Sequence, residues 1–71
     1  MKEFGEVLRE LRTEKGITQR QLAAALSVDP TTISQYENGK RTFPLTLLEP
    51  ACDYLEISVW DFLKLVFPAD S

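Results

Sequence analysis

Between Gly16 and Gly39 the chain sets two helix starts and two helix stops so close together that little structural choice is left. Thr18 stands three residues before Gln21, so its hydroxyl and the Gln21 amide can satisfy each other's orphan backbone donors at a helix start. Asp29-Pro30 is a second start. There the carboxylate can accept the first free N–H groups, and the proline occupies a position where its missing donor costs nothing. Gly16 and Gly39 supply the left-handed conformation on which helices end. Two helices of about eight residues, one from Thr18 and one reaching Asn38, must then be joined by a turn of three or so at Ser27 and Val28.

Helical spacing extends beyond this pair. Phe4, Val7, Leu8 and Leu11 fall at i, i+3, i+4 and i+7 and line one face of a helix that ends before Gly16. Leu22, Ala23 and Leu26 give the second helix its inward face, and Lys40 to Leu45 read as loop. Pro50 fixes the fourth helix, because a proline deep inside a helix costs ~3 kcal/mol. A Thr46-x-x-Glu49 capping box would put Pro50 just after the first turn, and Ser58-x-x-Asp61 opens a fifth helix ending by Pro68. No stretch alternates long enough for a strand. The expectation is an all-α fold of five short helices, a single domain over residues 1–71, with a helix-turn-helix at about 18–38 and helices four and five at about 46–67.

Composition narrows the function. There is no histidine and one cysteine, Cys52, which excludes a disulfide framework, the usual zinc ligand sets and any triad that needs an imidazole. Neither a convergent acid and base pair nor a Gly-rich phosphate loop is present, so neither an enzyme nor a cofactor is expected. The apolar run Val59 to Phe67 is broken by Asp61 and Lys64 and is far shorter than the roughly 20 residues that cross a bilayer. The start Met1-Lys2-Glu3-Phe4 is acidic within three residues, unlike a signal peptide, and a cytoplasmic setting is expected. The net charge of -3 is unevenly spread. Residues 1–29 are balanced, residues 30–46 carry Lys40 and Arg41 against Glu37, and beyond them Lys64 faces Glu49, Asp53, Glu56, Asp61 and Asp70. Whole-chain charge therefore says little about the field over the first two thirds.

The run Thr18-Gln19-x-x-Leu22-Ala23-x-x-Leu26-Ser27-Val28-x-x-x-x-Ile33-Ser34-x-x-Glu37-Asn38-Gly39-Lys40 resembles the helix-turn-helix of the phage-repressor and Cro-like family of transcription regulators, the xenobiotic-response-element type. Phe4-Gly5-x-x-Leu8-Arg9-x-Leu11-Arg12-x-x-Lys15-Gly16-Ile17 looks like that family's first helix, and Leu48 onward like its fourth and fifth. The resemblance spans about residues 4–66. It implies a compact lambda-repressor-like domain, bacterial or phage-encoded and nucleoid-associated, that binds double-stranded operator DNA as a dimer and acts as a repressor.

Individual residues then take expected roles. Ala23 leaves room where two helices cross, and Val28 and Ile33 anchor the turn and the third helix. Arg12 continues the Phe4 and Leu8 line, and Glu37 lies four residues after Ile33, so both charges fall on core-facing sides. The resemblance implies that they pair; the alternative is two solvated charges at helix ends. For the third helix to read a major groove, its outward residues Pro30, Thr31, Thr32, Ser34 and Gln35 must reach base edges, with Tyr36 between faces. Gln35 can both donate to and accept from adenine, whereas Pro30 offers only apolar surface. Asp29, a negative charge close to phosphates, is tolerable if the helix start consumes it. Gln19, Asn38, Lys40, Arg41 and Thr42 are candidates for phosphate contacts. In the fifth helix Val59, Phe62, Leu63 and Val66 follow a core-facing spacing, yet Trp60, Lys64 and Phe67 form a further i, i+4, i+7 stripe. That stripe reads as a homodimer contact, unless Trp60 folds back over Pro50 or Phe43. Cys52 and Tyr54 read as core. The rival reading is an antitoxin-like or adaptor module that keeps the scaffold and holds a protein partner with its acidic C-terminal helices.

Overall fold

The computed structural model describes residues 2–68. Five α-helices follow one another, α1 (Phe4–Glu14), α2 (Gln19–Leu26), α3 (Pro30–Glu37), α4 (Leu48–Leu55) and α5 (Val59–Val66), with a 3-10 turn at Leu45–Leu47. No strand occurs among the described residues, in keeping with the all-α expectation. Met1 and Asp70, which entered the reading of the chain start and of the C-terminal charge, lie outside them.

The helix ends share one device. Gly16 and Gly39 adopt positive φ, 71° and 75°, as their sequence positions predicted. Ser27 and Glu56 do the same at 59° and 57° although neither is glycine. After three of these four residues an apolar side chain tucks against the core and its N–H reaches back to a helix carbonyl. Ile17 bonds Arg12 O at 3.0 Å, Val28 bonds Ala23 O at 2.9 Å and Ile57 bonds Cys52 O at 3.0 Å. The apolar contact and the returned hydrogen bond compensate the left-handed strain at Ser27 and Glu56.

Helix starts divide less evenly. Thr18 Oγ1 accepts from Gln21 N at 3.0 Å while Gln21 Oε1 accepts from Thr18 N at 2.8 Å, the expected reciprocal box. Ser58 Oγ accepts from Asp61 N at 2.9 Å. The Thr46 box does not form. Thr46 lies inside the 3-10 turn, Leu47 caps α4 without a side-chain bond, and Pro50 sits within the first turn rather than beyond it. The loop accordingly ends at Pro44, one residue earlier than the sequence reading, because Leu47 N bonds back to Pro44 O at 3.0 Å.

The core joins Val7, Leu8 and Leu11 of α1, Leu22, Ala23 and Leu26 of α2, Ile33 and Tyr36 of α3, Leu48, Ala51, Cys52 and Leu55 of α4, and Phe62 and Val66 of α5. Tyr36 is buried rather than between faces, its ring set edge-on to Phe43 at 5.3 Å. Tyr54 is exposed, not core, because α4 spends its inward face on the four residues named above. The α1–α3 crossing is fixed by Gly5, where a Cβ would fall 1.8 Å from the Tyr36 carbonyl oxygen. No other residue permits that approach. At the far end Lys2 N donates to Val66 O at 3.1 Å, and Phe4 packs between Phe62 and Phe67 at ring-centroid distances of 6.0 and 6.2 Å.

Candidate nucleic-acid interface

The pairing implied for Arg12 and Glu37 is present and ties α1 to α3. Arg12 Nε donates to Glu37 Oε2 at 2.7 Å and Nη2 donates to Oε1 at 3.0 Å, a two-pronged contact. Arg12 Nη1 also donates to the Ile17 carbonyl at 2.8 Å, fixing the α1–α2 turn. The Arg12 side chain is 11% exposed and that of Glu37 1%, so the pair is interior and the solvated alternative is set aside. No buried side-chain polar atom among the described residues lacks a partner.

A third donor completes the carboxylate. Gln19 Nε2 donates to Glu37 Oε1 at 3.0 Å, an interaction that the sequence reading missed. Gln19 thus stands at the first turn of α2 with its amide orientation set by α3, leaving its carbonyl and one N–H for a partner outside. An amide at the start of one helix, eighteen residues from a buried acid on the next, was the available signal.

Around this anchor the predicted residues assemble in part. Pro30 takes the first position of α3, with Thr31 exposed and Thr32, Ser34 and Gln35 half-buried along the helix. Lys40, Arg41 and Thr42 are exposed just beyond it. Their backbone is held by Gly39, since Lys40 N and Arg41 N both donate to Gln35 O, at 2.9 and 3.2 Å. Asn38 Nδ2 donates to Ser34 Oγ at 3.2 Å, so this pair is partly engaged with itself. Asp29 caps α3 by its backbone only; its side chain makes no capping bond, which corrects the expectation that the helix consumes it.

Trp60 is 68% exposed and Phe67 53%, and with Leu63 and Lys64 they line an open groove of about 400 Å³ on α5. Trp60 does not fold back over Pro50 or Phe43. Phe67 also meets Phe4 edge-to-face, with ring centroids 6.2 Å apart.

A two-helix unit with a buried Arg–Glu–Gln anchor and a polar third helix defines a helix-turn-helix protein. The chain belongs to the helix-turn-helix domain family, of the phage-repressor and Cro-like type, and matches it over residues 3–59. It is 55% identical over 62 residues to the HTH-type transcriptional activator BcrR of Enterococcus faecalis, a match covering 87% of this chain and 30% of that protein. The chain thus spans under a third of that relative's length. Among solved structures it superposes on the clp gene regulator ClgR of Corynebacterium glutamicum with a TM-score of 0.80 and 34% identity, covering 94% of this chain and 91% of that one. It also superposes on SinR, the master regulator for biofilm formation, in complex with DNA, with a TM-score of 0.73 and 30% identity over 84% and 97% of the two chains. No helix among the described residues is long and apolar enough to cross a membrane.

Proposed function

We propose that this chain is a sequence-specific, double-stranded DNA-binding domain of a transcription regulator. The observation that carries the reading is α3 itself. Its inward residues Ile33, Tyr36 and Glu37 are buried in the core, which leaves Thr31 exposed and Thr32, Ser34 and Gln35 half-exposed on the same helix, beside the exposed Lys40, Arg41 and Thr42. An α-helix fits the major groove, about 12 Å wide, and its N-terminal half reaches base edges while flanking bases and amides hold the backbone. The SinR–DNA complex and the activator BcrR support the same use of this fold. The chain acts in the cytoplasm, at the nucleoid, by occupying a promoter. Repression is the simplest outcome of occupancy, and a reporter promoter carrying the selected site determines its sign.

Few phosphates can be neutralised by one copy, so affinity at physiological salt requires two. The exposed Trp60, Lys64 and Phe67 stripe supplies the contact between them. A two-fold dimer places its recognition helices about 34 Å apart on a pseudo-palindrome.

Selection from random duplexes, followed by anisotropy titration at several salt concentrations, tests the reading. Gln35→Ala should cost ~1–3 kcal/mol at the selected site and relax one base position, while Lys40→Ala should weaken every sequence alike. Trp60→Glu should abolish cooperative occupancy of the full site and leave the fold intact. A wild type that binds no duplex at low salt favours the rival, a protein-interaction module built on α4 and α5. One protein per palindrome in sedimentation would refute the dimer.

A further inference from the structure

Asp29 holds the tip of α3 with a carboxylate that the fold does not use. Its backbone is extended, φ -78° and ψ 150°, and the side chain is exposed and makes no bond to the helix it caps. The backbone carbonyl of Asp29 accepts instead, from Thr32 N at 3.0 Å and Ile33 N at 3.2 Å, and Pro30 brings no donor at all. The contrast lies within the same molecule, where Thr18 and Ser58 at equivalent positions do turn their hydroxyls onto helix N–H groups. Nor does a cation engage it. The ion pairs among the described residues are Lys2–Glu10, Arg12–Glu37 and Lys64–Asp61. An acid at this place with neither a hydrogen-bond nor an ion-pair partner in the fold lowers affinity for a polyanion, unless it finds a donor there.

We propose that Asp29 is a base-reading residue that selects cytosine at one position of each half-site. This rests on the DNA-binding reading above. A carboxylate is acceptor-only, so the O4 of thymine and the O6 and N7 of guanine repel it. Only the exocyclic amines of cytosine and adenine donate into the major groove, and adenine sets its N7 acceptor beside that amine. Cytosine's own major-groove edge carries a donor and no acceptor, and is the base edge that a carboxylate fits best. The N-terminal residues of a recognition helix are the ones that reach base edges, and Asp29 precedes Thr31 by two residues at that end. Away from a cytosine the same charge meets only phosphates and acceptors. Asp29 therefore weakens binding to unrelated sequence and widens the ratio between specific and non-specific affinity. Neighbouring Pro30 adds no donor or acceptor of its own, so the discrimination at this end of the helix falls to Asp29 and Thr31.

The experiment compares sites selected from random duplexes by wild type, Asp29→Asn and Asp29→Ala, with affinity for a random duplex measured in parallel. Wild type should return cytosine at one outer half-site position, about tenfold over the other bases. Asp29→Asn, whose amide pairs with adenine, should move that position to adenine, leave the position read by Gln35 unchanged and bind random duplex more tightly. Asp29→Ala should lose the preference there and keep the others. If both variants bind all duplexes more tightly with every base preference intact, Asp29 is only a repelling charge and the assignment falls while DNA binding stands. A wild type that binds no duplex overturns both.

Discussion

Arg12→Ala leaves behind a carboxylate that is 1% exposed and stripped of two of its three hydrogen bonds, those at 2.7 and 3.0 Å. The Ile17 carbonyl loses its donor as well. Removing one partner of a buried ion pair costs ~3–5 kcal/mol, most of it the uncompensated charge rather than the lost attraction. At roughly 0.05–0.15 kcal/mol per residue, a 71-residue domain holds about 4–11 kcal/mol in all. The single substitution should therefore remove around half of the stability and lower the melting temperature by at least ~12 °C, since each kcal/mol is worth about 4–8 °C in a domain of this size. Thermal unfolding followed by circular dichroism reads this directly. Glu37→Ala should cost a similar amount. Replacing both, Arg12→Met with Glu37→Leu, removes the stranded charge and should recover most of the loss, so the cycle is strongly non-additive. Single variants that melt with the wild type, or losses that simply add, would refute the interior pairing.

Gly5→Ala should destabilise by about 1–3 kcal/mol or more, read in urea melts, because its methyl meets the Tyr36 carbonyl and α1 must back away from α3. The backbone that α3 presents moves with it, so the same variant should lose DNA affinity in the anisotropy assay while still folded. Burial pushes the Cys52 thiol above its ordinary value of 9.0. The folded protein should react with a thiol reagent only as fast as it opens, and stability should be full below pH 9 and fall as pH rises above it, where the unfolded thiol ionises first. Reagent kinetics that match a free thiol in native buffer would place Cys52 at the surface.

Much of the fold could be read because it is written in local chemistry. Gly16, Gly39, the Thr18 box and Pro30 act within one turn of chain, and each does so in the structure. Ser27 and Glu56 end their helices just as sharply, but their left-handed backbone is held by the tucked Val28 and Ile57 and leaves no mark on the residue itself. The Thr46 capping box was a false expectation, because the 3-10 turn takes in Thr46 and brings Leu47 to the cap. Tyr54 was misplaced because an eight-residue helix offers too few turns to separate inside from outside. Within the candidate interface, helical spacing put Arg12 and Glu37 on core-facing sides and the family resemblance implied their pairing, whereas the Gln19 bond and the free carboxylate of Asp29 depend on how α2 and α3 meet. No spacing rule encodes that. Gly5 is the plainest case: the need for it exists only where it crosses Tyr36, thirty-one positions further along the chain.

The bond from Lys2 N to Val66 O, at 3.1 Å, has a mechanical meaning. It brings the incoming and outgoing backbone together at one corner, with Phe4 and Phe67 edge-to-face beside it. Force applied along those two backbone segments loads this single bond and the aromatic contact first, in the manner of a zip rather than a shear. The domain should thus yield to pulling by peeling α1 and α5 apart at low force, well before α2 and α3 feel the load.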